Sequence, residues 1–492
     1  MKRSELEEYF QSFRENTIGH DLSYSTPYGE QSMIYADWIA SGRLYQAIEN
    51  KLIDEIGPWV SNTHTETAEL GTLMTKGYHL AHKLIKKHVN AGPDDVIITA
   101  GSGMTTVVNK LQRILGLRTC GKLSGQDCIK ETERPVIFIT HMEHHSNQTS
   151  WYESNVDVVV LKPNDELLVD LDELRNKLEQ YKDRKHKIGA FTSCSNVTGI
   201  ETPYHLMARL MHEHGGHCFI DFAASAPYVD MDMHPENPLD KLDGIYFSPH
   251  KFLGGPGSSG VLIFDASLYK GNTPDNPGGG TVDWTNPWGG YKYIDDIELR
   301  EDGGTPGFMQ TMKTALAIDL KNQMSTEKIR AREDELLEIT FHELKQIPDL
   351  FILADNVEER LGVISFYILD FHFNLAVKML SDRFGIQVRG GCACAGTYGH
   401  YLLDVSHNDS KLITDLISHG DLSQKPGWIR LSLHPTMTNE ELYKVTDAIR
   451  QIQAHHKEWA NDYGYNNRTN EFVHKDEIKD KTELVKNWFV IG

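Results

Sequence analysis

Seven short, mostly uninterrupted apolar runs between residues 94 and 265 constrain the fold of this 492-residue chain more than any other feature. Continuous apolar runs, unlike alternating ones, are typical of strands covered by helices on both faces of a sheet. Helical patterns at 104–116, 169–181 and 202–215 separate several of them, and this alternation predicts a mainly parallel, seven-stranded α/β sheet. The runs are residues 94–100, 134–140, 156–162, 188–194, 217–223, 243–249 and 260–265.

The chain changes character after this region. Residues 271–307 are rich in Gly, Pro, Asn and Trp, and so long an irregular excursion is more often functional than idle. A helical pattern at 309–347 follows, and then a second, smaller α/β region with strands at 361–368 and 428–433 and helices at 374–384 and 439–456. We predict four parts: an N-terminal arm (1–45), a large domain (46–308), a small C-terminal domain (309–460) and a tail (461–492).

Charge and cysteine content exclude several classes of protein. The net charge of −21 argues against a general affinity for nucleic acid or for anionic membrane surfaces. The opening MKRSELEEYF lacks the apolar stretch of a secretory signal, and no apolar run has the length of a membrane helix. Six cysteines in so long a chain are too few for a disulfide framework. We expect a soluble cytoplasmic protein with neither a nucleic-acid nor a membrane partner.

The segment Ser248–Gly257 carries the strongest chemical signal, because it directly follows an apolar strand. A lysine at the carboxyl end of a strand, here Lys251, lies where α/β sheets place their ligands. Its amine, when deprotonated, can form an imine with an aldehyde, and Ser248 and His250 can donate to a phosphate. The alternative is a surface lysine beside a glycine-rich turn.

Two further strand ends carry polar groups suited to a cofactor. Asp221 ends the strand 217–223, and a carboxylate there can pair with a protonated pyridine nitrogen. Alternatively it is a turn residue or a helix cap. The turn Gly101–Thr106 precedes a helix, whose exposed N-terminal amides can bind phosphate.

The segment His141–Asn147 concentrates histidines after another strand. One of them can stack on a flat cofactor ring and transfer protons. A zinc site is the competing interpretation, since histidines also cluster at 212–217. Neither cluster has a standard spacing with a third ligand.

The loop Arg389–Gly396 contains two cysteines, Cys392 and Cys394, among glycines and alanines. A nearby arginine favours the thiolate form of a cysteine. A disulfide or half a metal site are the alternatives, although Cys-x-Cys closes a strained ring.

Taken in order from Tyr35-Ala36-Asp37 to Arg430, these segments resemble the class V aminotransferase family, pyridoxal-phosphate enzymes that include cysteine desulfurases and selenocysteine lyases. The resemblance implies the fold type I architecture of these enzymes and a Schiff base between Lys251 and the cofactor. It also implies that the phosphate is held by Ser248, His250, Gly103, Met104 and Thr105.

The resemblance assigns further residues. Asp221 would face the pyridine nitrogen, His144 would stack on the ring and take part in catalysis, and Asn196 would lie near the cofactor hydroxyl. Arg430 and Arg389 would bind the amino-acid substrate, Arg430 through its carboxylate. Thr281, with Gly279 and Gly280, resembles a loop lent to the phosphate of the neighbouring subunit, which implies a homodimer.

The cysteine loop points to one branch of the family. Desulfurases carry the pattern Arg-x-Gly-x-x-Cys-Ala, which fits Arg389, Gly391, Cys394 and Ala395. Cys394 would attack the sulfur of the bound substrate to give a persulfide and alanine, and a protein could then accept the sulfur. Cys392 occupies a position usually held by another residue type, which leaves open which cysteine reacts.

One position departs from the family pattern. Ala224 replaces a glutamine that bonds the cofactor's phenolic oxygen, and Ser225 could compensate for it. The segment after Asp37 also differs from the usual desulfurase opening, so we predict a divergent subgroup. The alternatives are an aminotransferase, epimerase or β-lyase on the same fold, or a cofactor-binding scaffold without turnover, for which Ala224 is the one supporting feature.

Overall fold

Residues 4–118, 133–477 and 481–491 are described by the computed structural model of the protein. The strands, in chain order, are β1 (Ser23–Thr26), β2 (Gly29–Ser32), β3 (Ile34–Tyr35), β4 (Asp95–Ala100), β5 (Val136–Ile139), β6 (Asp157–Val160), β7 (Lys187–Thr192), β8 (His217–Asp221), β9 (Gly244–Phe247), β10 (Gly260–Asp265), β11 (Val282–Thr285), β12 (Tyr291–Tyr293), β13 (Leu350–Ile352), β14 (Val363–Ile368), β15 (Ile386–Gln387), β16 (Arg389–Gly391), β17 (Trp428–Ser432), β18 (Tyr463–Asn466) and β19 (Glu471–His474). The α-helices are α1 (Glu5–Glu15), α2 (Gln46–Asn50), α3 (Glu69–His88), α4 (Met104–Ile114), α5 (His145–Tyr152), α6 (Leu171–Gln180), α7 (Tyr204–Glu213), α8 (Ile297–Glu301), α9 (Phe308–Met324), α10 (Thr326–Leu344), α11 (Phe373–Phe384), α12 (Gly396–Leu402), α13 (His407–Ser418), α14 (Asn439–Trp459) and α15 (Thr482–Asn487).

The seven strands predicted from the apolar runs form one sheet, in the order β4-β10-β9-β8-β7-β5-β6. Strands β5 to β9 pair in parallel, whereas β10 is antiparallel to both of its neighbours, β9 and β4. Every residue of β5, β7 and β9 is buried, which explains why their sequences are continuously apolar. The prediction of a mainly parallel sheet flanked by helices is therefore confirmed.

This strand order brings the candidate segments together. Since β10 alone is reversed, the carboxyl ends of the other six strands lie at one edge of the sheet. The turn at Gly103, the segment at His144, Asn196, Asp221 and Lys251 all end or follow such strands. Ligands of open α/β sheets bind at this edge.

A second, four-stranded sheet, in the order β13-β14-β17-β16, carries the arginines. Its strands are antiparallel, and Arg389 on β16 lies directly opposite Arg430 on β17. Helices α11 and α14 pack together beside it, with α11 against β16 and β17.

The N-terminal arm lies against this second sheet. Strand β3 pairs in parallel with β15 in a separate two-stranded sheet. The Ser432 amide donates to the Ala36 carbonyl at 2.9 Å, and the Ile39 amide donates to Ser432 Oγ at 3.1 Å. These bonds place Asp37 beside β17.

Some elements differ from the sequence prediction. The helical pattern at 309–347 is two helices, α9 and α10, separated at Ser325, which has a φ of 61° and caps α10 through its side chain. The irregular excursion at 271–307 contains the hairpin β11–β12. It is tied to α4 by buried Lys110, whose Nζ lies 2.6 Å from Glu301.

The tail also forms structure, with hairpin β18–β19 bonded to α11 through Asn374 Nδ2 and the Asn470 carbonyl. The predicted domain boundaries at 45, 308 and 460 stay predictions. No helix within the described ranges is both long and apolar enough to cross a bilayer. Cys120 and Cys128 lie outside the described residues, and the other four cysteines are free thiols.

Candidate active site

A cavity of about 260 Å³ lies at the carboxyl edge of the large sheet. The N-terminal arm, the large sheet and the four-stranded sheet all contribute to its wall. Its lining residues are Ile39, Ala40, Met104, Thr105, His144, Ser146, Thr192, Cys194, Asn196, Asp221, Ala223, Ala224, Ser248, His250, Lys251, Arg389, Ala393, Cys394 and Arg430. The structure therefore brings most of the sequence-predicted site residues into one chamber.

Lys251 lies in the turn between β9 and β10, where it is partly buried and lines the cavity. Burial lowers the pKa of its amine to about 8, although the nearby Asp221 opposes that shift. Glycines are required around it, since a Cβ on Gly255 would lie 1.8 Å from the Pro249 carbonyl oxygen. The consequence is a lysine with a substantial neutral, nucleophilic fraction near pH 8.

Asp221 faces the same cavity from the end of β8. Its Oδ1 accepts a hydrogen bond from the Ala223 amide at 2.8 Å. Burial raises the pKa of the carboxyl to about 6, and the amine of Lys251 partly offsets this. A buried carboxylate of this kind is stabilised by a cationic ligand in the cavity.

The N-terminus of α4 presents groups that are suited to an anion. The Met104 amide donates to Ser248 Oγ at 2.9 Å, and Thr105 Oγ1 lies 2.7 Å from Ser146 Oγ. A Cβ on Gly103 would come within 3.0 Å of Ser248 Oγ and 3.4 Å of His250 Cδ2, so glycine keeps this corner open. Backbone amides, hydroxyls and the helix dipole together favour a phosphate here.

His144 is the N-cap of α5, and its Nδ1 accepts a hydrogen bond from the Ser146 amide at 3.1 Å. Burial, followed by the charge of Lys251, lowers the pKa of His144 to about 3. Its imidazole is therefore neutral, with the proton on Nε2.

Beneath His144, the fully buried Glu143 organises a polar network. Its Oε1 accepts from the Thr140 and Thr192 amides and the Thr140 hydroxyl, and its Oε2 accepts from Asn147 Nδ2. Asn147 Oδ1 in turn accepts from Tyr246 at 2.7 Å. Burial raises the pKa of Glu143 to about 7. This network connects β5, β7, β9 and α5 directly under the cavity.

Replacing Glu143 by alanine is expected to destabilise the protein by about 3 kcal/mol, because it leaves several buried donors without acceptors. The stability of Glu143→Gln should lie between those of Glu143→Ala and the unmodified protein. Its amide keeps one acceptor but places an NH₂ group against that of Asn147. Denaturant unfolding of the three proteins measures this. Equal stabilities for Glu143→Ala and the unmodified protein would contradict a structural role for the network.

Arg430 and Asn196 form the opposite wall. Arg430 is buried, and its Nη1 donates to the Asn196 carbonyl at 3.2 Å. Desolvation lowers the pKa of Arg430. Asn196 Nδ2 donates to the Ala393 carbonyl at 2.7 Å. Asn196 Oδ1 and Arg430 Nε are buried with no partner, as expected of groups that await a ligand.

The two thiols of the cysteine loop differ in their exposure and in their neighbours. Residues 392–395 form a turn closed by the Ala395 amide and the Cys392 carbonyl, with φ of 49° at Ala393 and 57° at Cys394. Cys394 is exposed and lines the cavity. Cys392 is half-buried and packs in an apolar cluster that contains Trp428.

Contacts to α5 hold the loop in place. The His145 amide donates to the Cys394 carbonyl at 2.7 Å, and the Gly396 amide donates to His145 Nε2 at 3.0 Å. Two consecutive non-glycine residues in the left-handed region are unfavourable by themselves. These bonds therefore fix the position of Cys394 relative to the cavity.

Two predicted residues, Thr281 and Ser225, do not line the cavity. The Thr281 side chain is buried in its own turn, where Oγ1 donates to the Gly278 carbonyl at 2.7 Å, so its role toward a second subunit stays a prediction. Ser225 Oγ pairs with Ser193 Oγ at 2.6 Å and does not line the cavity, unlike Ala224.

The second histidine cluster lies away from the chamber. His217 begins β8, at the end opposite Asp221, and His212 Nε2 pairs with Asp243 at 2.7 Å. Over the described ranges, no group of three or more His, Cys, Asp or Glu residues is arranged to hold a metal ion.

Sequence reasoning missed the parts played by Ser146, Glu143 and Asp37. Ser146 and Glu143 belong to the segment 141–147, whose chemistry we read from its histidines alone. Asp37 lies on the arm, far from the other segments in sequence. The bonds of Ala36 and Ile39 to Ser432 on β17 bring it to the arginines.

Comparison with known proteins identifies similar chains. The model of the family described as aminotransferase class-V matches residues 34–445. A protein of Halalkalibacterium halodurans named probable cysteine desulfurase is 27% identical over 368 residues, 74% of this chain and 84% of the relative. One of the same name from Staphylococcus epidermidis is 28% identical over 74% of this chain and 83% of the relative.

Solved structures share the fold. The apo structure of a cysteine desulfurase from Thermococcus onnurineus NA1 superposes with a TM-score of 0.72 at 20% identity, covering 92% of this chain and 99% of the other. A cysteine desulfurase of Escherichia coli in its S-sulfonic acid form gives 0.68 at 20% identity, covering 90% and 98%.

Proposed function

The chain belongs to the class-V aminotransferase family, and we propose that it is a pyridoxal-phosphate enzyme that removes sulfur from L-cysteine, or selenium from selenocysteine, through Cys394. The observation that carries this proposal is one cavity lined by both Lys251 and Cys394. The names of the relatives support the same activity.

The donor set of the cavity fits pyridoxal phosphate. Lys251 offers a partly neutral amine to an aldehyde, buried Asp221 suits a protonated pyridine nitrogen, and the α4 N-terminus with Ser248 suits a phosphate. The unpartnered Asn196 Oδ1 is a further polar group in the cavity. When bound, the cofactor supplies an electron sink that makes the substrate's α-proton acidic.

The residues of the chain supply the remaining chemistry. Arg430 binds the substrate carboxylate through its free N–H groups, and Lys251, with its lowered pKa, moves the α-proton. Neutral His144 positions a flat ring and donates through Nε2. The Cys394 thiolate attacks the substrate sulfur, which leaves a Cys394 persulfide and, after protonation of the carbon, alanine.

The direct test is the release of alanine and sulfide from L-cysteine by the cofactor-loaded protein with a thiol reductant. Equal amounts of both products are expected. Formation of a keto acid without sulfide would indicate transamination, and release of neither product would contradict the desulfurase proposal.

A second test uses pH. The neutral fraction of Lys251 should rise about tenfold per pH unit below its pKa of about 8 and level off above it. Covalent uptake of pyridoxal phosphate by the apoprotein, trapped with borohydride, should follow that curve. A rate that still climbed steeply between about pH 9 and pH 10 would indicate an ordinary lysine, whose pKa is about 10.4.

A further inference from the structure

Asp37 bridges the two arginines of the candidate substrate site. Its Oδ1 lies 2.9 Å from Arg430 Nη2, and its Oδ2 lies 3.0 Å from both Nε and Nη2 of Arg389. Arg389 and Arg430 are directly opposed on β16 and β17, where like charges repel. The Asp37 carboxylate is therefore the anion that lets this pair face one cavity.

The backbone fixes Asp37 in this position. The bonds from the Ser432 amide to the Ala36 carbonyl and from the Ile39 amide to Ser432 Oγ hold the arm on both sides of Asp37. Its side chain is 13% exposed. Asp37 therefore does not move aside easily when a ligand enters.

The net charge of the arginine pair together with Asp37 determines which ligands the pair can bind. Two guanidinium groups and one carboxylate leave a single net positive charge. Arg430 keeps a buried Nε–H without a partner, whereas Arg389 is 54% exposed and directs two N–H groups to Asp37. One ligand carboxylate can neutralise this arrangement, and a second acidic group would meet the Asp37 carboxylate.

We propose that Asp37 is a specificity-determining residue that restricts the site to amino acids with a single acidic group, by occupying the place between Arg389 and Arg430 that a second acid would need. This inference rests on the proposed function for the identity of the substrate, but its electrostatic basis is the geometry of the three side chains. It predicts acceptance of cysteine and exclusion of amino acids with acidic side chains.

Binding of two unreactive probes tests the proposal on the cofactor-loaded protein. Titration calorimetry with propionate and with succinate gives the ratio of their dissociation constants. Asp37→Asn should raise the preference for succinate about tenfold, because the site then carries two uncompensated positive charges. Asp37→Glu, which restores the carboxylate, should return the ratio to that of the unmodified protein.

Two further variants keep the test decisive. Asp382→Asn removes a different buried carboxylate, which pairs with Lys378, and should leave the ratio unchanged. Should Asp37→Asn fail to fold, Arg389→Gln tests the same charge balance, since it removes one positive charge and should weaken the binding of dianionic succinate more than that of propionate. An unchanged ratio in folded Asp37→Asn, or in Arg389→Gln, would overturn the proposal and leave Asp37 a structural bridge.

Turnover separates this inference from the proposed function. Relative to L-cysteine, L-cysteine sulfinate should become a better substrate in Asp37→Asn. A shift in probe affinity without any sulfide release would retain the role of Asp37 and reject the desulfurase activity. Sulfide release with an unshifted ratio of the two dissociation constants would retain the desulfurase activity and reject the role of Asp37.

Discussion

Lys251→Ala should lose at least about a thousandfold of the sulfide-releasing activity, because a single amine both holds the cofactor and moves the α-proton in the proposed function. The variant should also lose the near-visible absorption of the covalently bound cofactor. Dialysis should then remove any cofactor that is bound without a covalent bond. Steady-state sulfide release and an absorption spectrum measure the two effects.

Lys321 provides the matched control. It is also buried, and burial lowers its pKa to about 7, yet its Nζ donates to the Ala226 carbonyl at 2.7 Å and does not line the cavity. Lys321→Met should reduce stability and keep the absorption band. A Lys251→Ala protein that retained the band through dialysis would show that another amine holds the cofactor.

Cys394→Ala is expected to lose about a hundredfold or more of sulfide release from L-cysteine while it keeps the cofactor, since the nucleophile and the cofactor-binding amine are separate groups. Cys392→Ala should retain activity within about threefold, because Cys392 packs against the apolar cluster that contains Trp428 and does not line the cavity. Mass spectrometry of the intact protein after one turnover should find the additional sulfur atom on Cys394.

The opposite result for the two variants would contradict the assignment of the reactive thiol to Cys394. Full activity in Cys394→Ala, with loss in Cys392→Ala, would assign the chemistry to Cys392 and require the turn at 392–395 to open. Loss of cofactor absorption in Cys394→Ala would instead indicate that the loop supports the binding site.

Much of the architecture was readable from local sequence. The central strands were predictable because burial on both faces of a sheet demands continuous apolar runs. The helix boundary at Ser325 is not predictable from the local sequence, because serine is compatible with a helix interior and nothing around it requires a φ of 61°. The tail hairpin was missed because its contacts are to distant segments, such as that between Asn470 and Asn374.

The residues of the candidate site also divide into those that the sequence identifies and those that it does not. Lys251, Asp221 and the α4 turn were recognisable because each follows a strand at the edge where ligands bind. Asp37 and the Glu143 network were not recognisable from the sequence, since their roles depend on which side chains and amides they contact in the folded protein. The difference between Cys392 and Cys394 likewise became visible only once the turn at 392–395 directed one thiol to the cavity.

The distribution of the cavity wall along the chain has a consequence for synthesis. The α4 turn, Asp221 and Lys251 all precede residue 252, and the sheet that holds them is completed by β10 at Asp265, whereas Arg389, Cys394 and Arg430 emerge from the ribosome much later. Since the N-terminal part of a chain folds first during synthesis, we expect a nascent chain to form the large-sheet wall of the cavity before the wall that carries the arginines and Cys394. Strand β3 of the arm has its partner only once β15 has been made, so the cavity closes only after residue 387.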